Sequence, residues 1–261
     1  MEKEDIIMIG NCQIERMSYV FRGNGIENIK YFANTEILDE NFSCDKIIDH
    51  ASRAPFVIAQ CVVNENNPLN YRNLTKINRN TLIVPYIFVD GIFCLSASDV
   101  QAKKIYGEEY IQEILRDGNL GKVVEHFKSG IINFKNEERL LNSINDLKER
   151  ERLSSSIEIS EYINENIRDR RLLISHNHPT WILFDELCRK VFLEIGRSYV
   201  PYRELPHEKK IEYIFGRGIS ALSCYDVLTL GLQYDEDEQW FNDGFSMIRK
   251  ICDDFKKRSY K

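Results

Sequence analysis

Four short apolar runs, rich in β-branched residues, are spaced through the first ninety residues of the chain. They occupy positions 6–9, 29–32, 56–63 and 82–88. Nearly continuous apolar character over so short a length is typical of strands that are buried on both faces of a parallel sheet. The segments 13–21 and 71–77, which lie between these runs, have helical spacing. Strand and helix in alternation predict an α/β fold of the doubly wound or flavodoxin type.

The rest of the chain predicts helices added to that α/β core. From about 105 to 167 the sequence is charged, and its apolar residues recur at the spacing of a helix face. A further strand is predicted at 170–175 and a helix at 180–195, with Thr180 as its N-cap. The sequence has no internal repeat and no low-complexity linker. We therefore predict one domain, 1–261, with a helical insertion at 105–167 and a helical C-terminal extension at 197–261.

Composition narrows the class of protein. Hydrophobic residues make up 43% and charged residues 29% of the chain, as in ordinary globular proteins. No stretch approaches the roughly 18 apolar residues of a membrane span, and the first residues lack the features of a signal peptide. The net charge of -6 disfavours nucleic acid as a partner, and seven widely spaced cysteines suit a reducing compartment. We expect a cytoplasmic protein with no integral membrane segment and no nucleic-acid partner.

Gly10, Asn11, Cys12 and Gln13 follow the first predicted strand and open the first predicted helix. N-H groups at a helix start point toward the edge of the sheet where ligands bind, and a cysteine placed there is biased toward the nucleophilic thiolate. The position is equally compatible with Cys12 as a small buried hydrophobic residue. A dinucleotide-binding loop would need second and third glycines that this segment lacks.

His176, Asn177, His178 and Pro179 lie between the strand predicted at 170–175 and the helix that follows it. If that strand belongs to the parallel sheet, this loop emerges at the same edge as the first strand–helix turn, and cysteine with histidine is the arrangement that nucleophilic catalysis requires. The two histidines can instead share a metal ion, or they can cap and fill the loop. Because no carboxylate partner is evident, we expect no metal.

Gln60 ends the third predicted strand and should reach the same edge of the sheet. Its side-chain amide can help to hold an oxyanion at that edge. Alternatively, it can be a buried amide that satisfies the hydrogen-bonding groups of loop backbone. The sequence leaves both interpretations open.

The order of these motifs resembles that of a known family. A first strand that ends in GNCQ (10–13), a strand that ends in Gln60 and a late NHP (177–179) before a helix resemble the WcbI-like family of polysaccharide biosynthesis acetyltransferases. The layout is also similar to that of SGNH-type esterases, with cysteine in place of the nucleophilic serine. The likeness extends over about residues 5–195.

The resemblance implies a flavodoxin- or SGNH-like parallel sheet with flanking helices, and an acyltransferase that uses acetyl-coenzyme A as co-substrate. Its acceptor would be a sugar of a surface or capsular polysaccharide. By resemblance, Cys12 takes the position of the nucleophile and His178 that of the base, while Ser175 replaces the acidic residue that SGNH enzymes carry three positions before the base. Residues expected to bind coenzyme A are Asn11, Gln13, Gln60, His176 and Asn177.

Two other functions are compatible with the same residues. With water in place of the sugar, the protein would be a thioesterase or an esterase of the SGNH-like type. A non-catalytic module that binds a sugar or a nucleotide sugar would use the same edge of the sheet without turnover. The binding module predicts that ligand binding survives Cys12→Ala, whereas either enzyme predicts that turnover is lost.

Overall fold

The computed structural model describes residues 5–33, 44–62, 66–93, 133–205 and 224–234, together with positions 121, 122, 125, 126, 129 and 222. The parallel strands are β1 (Ile6–Gly10), β2 (Ile29–Ala33), β3 (Phe56–Gln60) and β4 (Thr81–Val84). They form one sheet in the order β2-β1-β3-β4. This is the flavodoxin-like order, in which the chain changes direction across the sheet between β1 and β3. The predicted α/β fold is therefore confirmed.

Helices occupy most of the remaining described chain. They are α1 (Cys12–Gly23), α2 (Asp45–Arg53), α3 (Tyr71–Ile77), α4 (Asn136–Ser154), α5 (Ser160–Asn166), α6 (Trp181–Glu194) and α7 (Cys224–Leu230). A 3-10 turn spans Tyr202–Glu204, and two short strands are β5 (Leu173–Ser175) and β6 (His178–Pro179). The helices predicted at 13–21, 71–77 and 180–195 are confirmed. Within the described ranges, no helix is long and apolar enough to cross a membrane.

The chain divides into two compact units. The first comprises Met1–Ile87, Asp146–Ile163 and His178–Gly216, and the second comprises Phe88–Asn145, Asn164–Asn177 and Arg217–Lys261. The first unit contains the four-stranded sheet, α1, α2, α3 and α6. The predicted single domain stays a prediction, and much of its insertion (105–120) and extension (206–221 and 235–261) lies outside the described residues.

Strand β1 is the buried centre of the first unit. All five of its residues are buried, because β2 and β3 flank it on either side and helices cover its faces. On one face, Ile7 and Ile9 pack in a cluster with Ile47 of α2 and with residues of α3. Helix α1 packs against α6, where the rings of Phe21 and Phe192 lie 4.4 Å apart between centroids. The end of β1 and the start of α1 are therefore held on a rigid framework.

Three predicted strands differ from those observed. Strand β4 ends at Val84 rather than at 88, because Pro85 has no N-H to donate to the ladder. Strand β3 ends at Gln60, as predicted for that residue, so the apolar run at 56–63 continues three residues past the strand. The strand predicted at 170–175 is the short β5, which lies in the second unit and is not one of the four parallel strands. The premise that placed His178 at the end of a parallel strand is therefore wrong.

Candidate active site

The turn from β1 into α1 is fixed by the side chain of Asn11. Asn11 is the N-cap of the twelve-residue helix α1, and its Oδ1 accepts a hydrogen bond of 2.9 Å from the Gln13 N-H. Cys12 is therefore the first residue of the helix, and it is half-buried. The first N-H groups of a helix, which here include those of Cys12 and Ile14, have no intrahelical acceptor. They form a ready set of donors beside the Cys12 thiol.

Two buried glutamines tie this turn to the neighbouring strands, and each is only 3% exposed. Gln60 Oε1 accepts from the Asn11 N-H at 2.9 Å, and Gln60 Nε2 donates to Gln13 Oε1 at 3.1 Å. Gln13 Nε2 donates to Ile87 O at 2.7 Å, and the Ile87 N-H donates back to Gln13 Oε1 at 3.1 Å. The ends of β1 and β3 and the segment after β4 are thus joined by one set of buried hydrogen bonds.

Gly10 allows these groups to approach so closely. A Cβ atom at this position would lie 2.3 Å from Ile14 Cγ1 and 3.1 Å from Gln60 Oε1. The Tyr31 hydroxyl donates to the Gly10 carbonyl at 2.9 Å, which fixes the same turn from the side of β2. Gly10 is therefore required by packing against α1 and β3.

Cys12 and His178 meet in the first unit. The distance from Cys12 Sγ to His178 Nε2 is 4.0 Å, within reach of a weak hydrogen bond to sulfur. Burial lowers the pKa of His178, and the positive charge of Arg16 lowers it further. The imidazole is therefore neutral at neutral pH, which is the state that can accept a proton from a thiol or a hydroxyl.

Arg16, which is not among the residues predicted for the site, acts on His178 through its positive charge. It lies four residues after Cys12 on α1, a spacing that places both side chains on one face of a helix. Its Nη1 atom is buried and has no hydrogen-bond partner in the part of the chain that the structure describes. The four-residue spacing of cysteine and arginine was the signal that the sequence offered, because it gives both side chains the same face of a helix.

His176 lies in a buried polar network of the second unit and is 4% exposed. Its Nδ1 lies 3.4 Å from Asp90 Oδ1, and Arg139 donates to both oxygens of that carboxylate, at 3.0 and 2.5 Å. The rings of Phe88 and Phe93 pack against the imidazole, with centroids 5.8 and 5.6 Å away. These contacts make His176 part of the packed interior of the second unit.

The remaining predicted residues divide between the two units. Asn177, in the second unit, accepts a 3.4 Å hydrogen bond at Oδ1 from the hydroxyl of Ser175. Those that the first unit brings to one edge of its sheet are Asn11, Cys12, Gln13, Gln60 and His178. Among the described residues, no group of three or more His, Cys, Asp or Glu side chains is placed to hold a metal ion. Coenzyme A binding by the five residues named for it stays a prediction.

Comparison with known proteins shows that this chain is similar in fold to a solved structure. No protein-family model matches the chain. No curated protein matches it either. A solved structure that does match is that of WcbI, described as a novel polysaccharide biosynthesis enzyme, in its native form without a disulfide bond between coenzyme A and a cysteine. The TM-score is 0.68 at 14% identity, over 98% of this chain and 94% of that one, so the two proteins share a fold.

Proposed function

We propose that the protein is a WcbI-like acyltransferase that moves an acetyl group from acetyl-coenzyme A to a sugar hydroxyl in polysaccharide biosynthesis. The observation that carries this proposal is the 4.0 Å separation of Cys12 Sγ and His178 Nε2 at the start of α1. A thiol beside a neutral imidazole and a helix N-terminus is suited to acyl transfer. The fold shared with WcbI, a polysaccharide biosynthesis enzyme described with reference to coenzyme A and a cysteine, supports the choice of thioester and sugar.

The residues around Cys12 fit a thioester. The N-H groups of Cys12 and Ile14 lie at the start of α1, where they can donate to a carbonyl oxygen as it gains negative charge. Gln60 and Gln13 are engaged with Asn11 and with each other, so they act by holding the turn in place. The N-H donors at the start of α1 are therefore already in position, and they need no rearrangement during the reaction. Such preorganised donors are the usual source of electrostatic stabilisation in enzymes.

In the first half of the reaction, His178 Nε2 accepts the thiol proton and Cys12 Sγ attacks the carbonyl carbon of the acetyl group. The carbonyl π electrons move onto oxygen, where the helix N-H groups stabilise the charge. When this pair returns, the bond from carbon to the coenzyme A sulfur breaks and His178 gives the proton to that sulfur. Cys12 is left as an acetyl thioester, and coenzyme A is released as the free thiol.

In the second half, His178 accepts the proton of the sugar hydroxyl as its oxygen attacks the acetyl carbon. The bond from carbon to Cys12 Sγ then breaks, and the proton held by His178 returns to the sulfur. The products are the acetylated sugar and the free thiol of Cys12. Water in place of the sugar would give acetate, which is the reaction of a thioesterase.

The test is to incubate the protein with acetyl-coenzyme A alone and to follow the mass of the intact protein and the release of coenzyme A thiol. We expect one acetyl group on Cys12, no acetylation of Cys12→Ala and slow acetylation of His178→Ala. Cys61→Ala is the matched control, because Cys61 is also half-buried and directly follows β3. Rapid release of acetate with no benefit from added sugars would favour the thioesterase. Binding of acetyl-coenzyme A without transfer would favour the binding module.

A further inference from the structure

We propose that Arg16 is a catalytic residue that binds an anionic oxygen of the substrate beside Cys12 Sγ. This role deepens the proposed function. Only the identity of the substrate group that supplies the oxygen rests on that proposed function. The anion site itself is inferred from α1 and its neighbours. It would operate for any reaction that takes place at the Cys12 thiol.

The charged side chains of α1 differ in how they are satisfied. Glu15 accepts from the Tyr19 hydroxyl at 3.3 Å, and Arg22 donates to Ser18 Oγ at 3.3 Å and to a backbone carbonyl at 3.2 Å. Arg16, on the same helix, has its Nη1 buried with no acceptor among the described residues. A guanidinium stays protonated in proteins, so the cost of a buried donor without an acceptor cannot be removed by loss of the charge. Arg16 therefore holds a permanent positive charge and an unused donor.

The position of that charge relates it to the reacting groups. Arg16 follows Cys12 by four residues, so the two side chains project from the same face of α1 about one turn apart. Its charge also reaches His178, where it adds to the effect of burial in lowering the pKa of the imidazole. Arg16 acts on the base, His178, and shares a helix face with the nucleophile, Cys12. We infer that it can bind an anionic oxygen that reaches the thiol. Guanidinium groups form strong charge-assisted hydrogen bonds with such oxygens.

Two sources could supply an anionic oxygen at this place. One is the acetyl carbonyl oxygen, which becomes negative when Cys12 Sγ attacks. The other is a carboxylate on the acceptor, as in an acidic sugar. The phosphates of coenzyme A are separated from its sulfur by the whole pantetheine arm, so they do not reach Arg16 when the thioester is at Cys12. The shared chemistry is one anionic oxygen within a helical turn of the thiol.

The direct test compares two alkylating reagents, iodoacetate and iodoacetamide, which differ in the negative charge of iodoacetate. Both consume the same thiolate, so the ratio of their rates at Cys12 is independent of how readily Cys12 ionises. In Arg16→Gln we expect the ratio of the iodoacetate rate to the iodoacetamide rate to fall about tenfold, the scale of one lost charged hydrogen bond. Arg16→Lys should retain part of the preference. Arg22→Gln removes an equal charge from the same helix and should leave the ratio unchanged.

An unchanged ratio in Arg16→Gln overturns the proposal, provided that circular dichroism and the melting temperature show a folded protein. If Arg16→Gln does not fold, the ratio in Arg16→Lys decides, since a lysine shortens the reach of the charge and should lower the preference for iodoacetate. The alkylation ratio needs no acetyl-coenzyme A. The Arg16 site can therefore be supported or rejected even if the proposed acyl transfer fails.

The two half-reactions distinguish the two sources of the oxygen. If the oxygen is that of the acetyl group, Arg16→Gln slows acetylation of Cys12 at least tenfold in the absence of any acceptor. If it belongs to the acceptor, acetylation is unchanged, and the KM for glucuronic acid rises while that for glucose does not. Unchanged rates in both halves would show that Arg16 is not catalytic, and would overturn the proposal.

Discussion

The Nε2 atom of His178 lies 4.0 Å from the Sγ atom of Cys12, although 166 positions separate the two residues in the sequence. Each stands at the entrance to a helix of the first unit, Cys12 as the first residue of α1 and His178 in the short strand before α6. These two helices pack together through Phe21 and Phe192. The packing of α1 on α6 thus holds the thiol and the imidazole at a fixed separation.

The first prediction concerns His178 and His176. His178→Ala should lower the rate of acetyl transfer by about a hundredfold or more, because a positioned general base contributes roughly that factor. His176→Ala should lower the rate per folded molecule by less. It should instead lower the free energy of unfolding, by about 1–3 kcal/mol, because Asp90 loses its contact with the buried imidazole. The measurements are transfer rates with one acceptor and urea denaturation of both variants.

The outcome that would contradict this assignment is a larger loss of rate in His176→Ala than in His178→Ala at equal folded fractions. The roles of the two histidines would then be exchanged. A loss of activity in both variants, together with the loss of a bound metal, would replace nucleophilic catalysis by a metal mechanism. Metal analysis of the purified protein belongs with the rate measurements.

The second prediction is a pH dependence set by His178. Burial first, and then the charge of Arg16, lowers the pKa of the folded imidazole below its ordinary value of about 6.5. The rate should therefore stay level as the pH falls to about 6.5 and decline only below it, since the neutral base is then lost. Arg16→Gln removes the repulsion and should move the decline to higher pH. An unchanged midpoint in Arg16→Gln would contradict the contribution of Arg16, and a decline centred above pH 6.5 in the unaltered protein would contradict the direction of the pKa shift.

The lowered pKa of His178 also makes the stability of the folded protein depend on pH. The control for the rate profile is therefore a melting curve at each pH. The unfolded chain binds a proton at His178 more readily than the folded chain does, because the folded pKa is the lower one. The contribution of this residue is therefore present above the unfolded pKa, and it is lost as the pH falls from about 6.5 through the folded value. Rates should be compared only where the melting curves show that the protein is folded.

The third prediction is the order of cysteine reactivity. Cys12 should be alkylated faster than the other cysteines whose side chains are described, because it is half-buried at a helix start beside His178. Burial and then Asp45 raise the pKa of Cys44, burial raises that of Cys188, and Cys61 donates to Ser154 Oγ at 2.9 Å. Peptide mapping after brief treatment with iodoacetamide gives the order. Faster labelling of Cys61 or Cys44 would count against an activated Cys12.

The comparison with Cys94 and Cys252, and with the side chain of Cys224, lies outside the described residues. We nevertheless predict from the sequence that Cys12 reacts faster than these three. The same peptide map reads all seven cysteines at once. Unequal labelling that favours Cys12 would extend the order to the whole chain.

Much of the fold could be predicted because its causes are local. The apolar runs that become β1 and β3 are short and apolar on both faces, and burial between neighbouring strands and helices requires that pattern. Asn11 signals the start of α1 because a side-chain oxygen there can satisfy a helix N-H. Pro85 equally signals the end of β4, although the prediction carried that strand too far.

The site could be predicted only in part, because several of its contacts join distant residues. No local pattern shows that Gln13 would bond to both Gln60 and Ile87, since those bonds depend on how three strand ends meet. His178 was expected at the edge of the parallel sheet by way of a strand that turned out to lie in the second unit. Arg16 was missed because a charge on an amphipathic helix usually faces water, and only the fold shows one of its nitrogens to be buried.

The last prediction concerns the buried hydrogen bonds that hold the nucleophile. Gln60→Leu keeps the approximate volume of the side chain but leaves the Asn11 N-H without its acceptor and Gln13 Oε1 without one of its donors. A buried polar group that loses its partner costs about 1–3 kcal/mol, so the free energy of unfolding should fall by about 1 kcal/mol or more. The turn before Cys12 should also shift, and a small displacement of a nucleophile can cost about a hundredfold in rate.

The control for this change is Gln233→Leu, because Gln233 is exposed and its side chain donates to the nearby Gly231 carbonyl at 3.0 Å. Such a surface substitution should alter the free energy of unfolding by no more than about 0.5 kcal/mol. Urea denaturation of both variants measures the change in the free energy of unfolding. The rate of Cys12 acetylation, compared at equal folded fractions, measures the effect of displacing the nucleophile. If Gln60→Leu lowers stability but leaves acetylation unchanged, the glutamines support the sheet alone. If neither quantity changes, the hydrogen bonds of Gln60 do not hold the turn at Cys12.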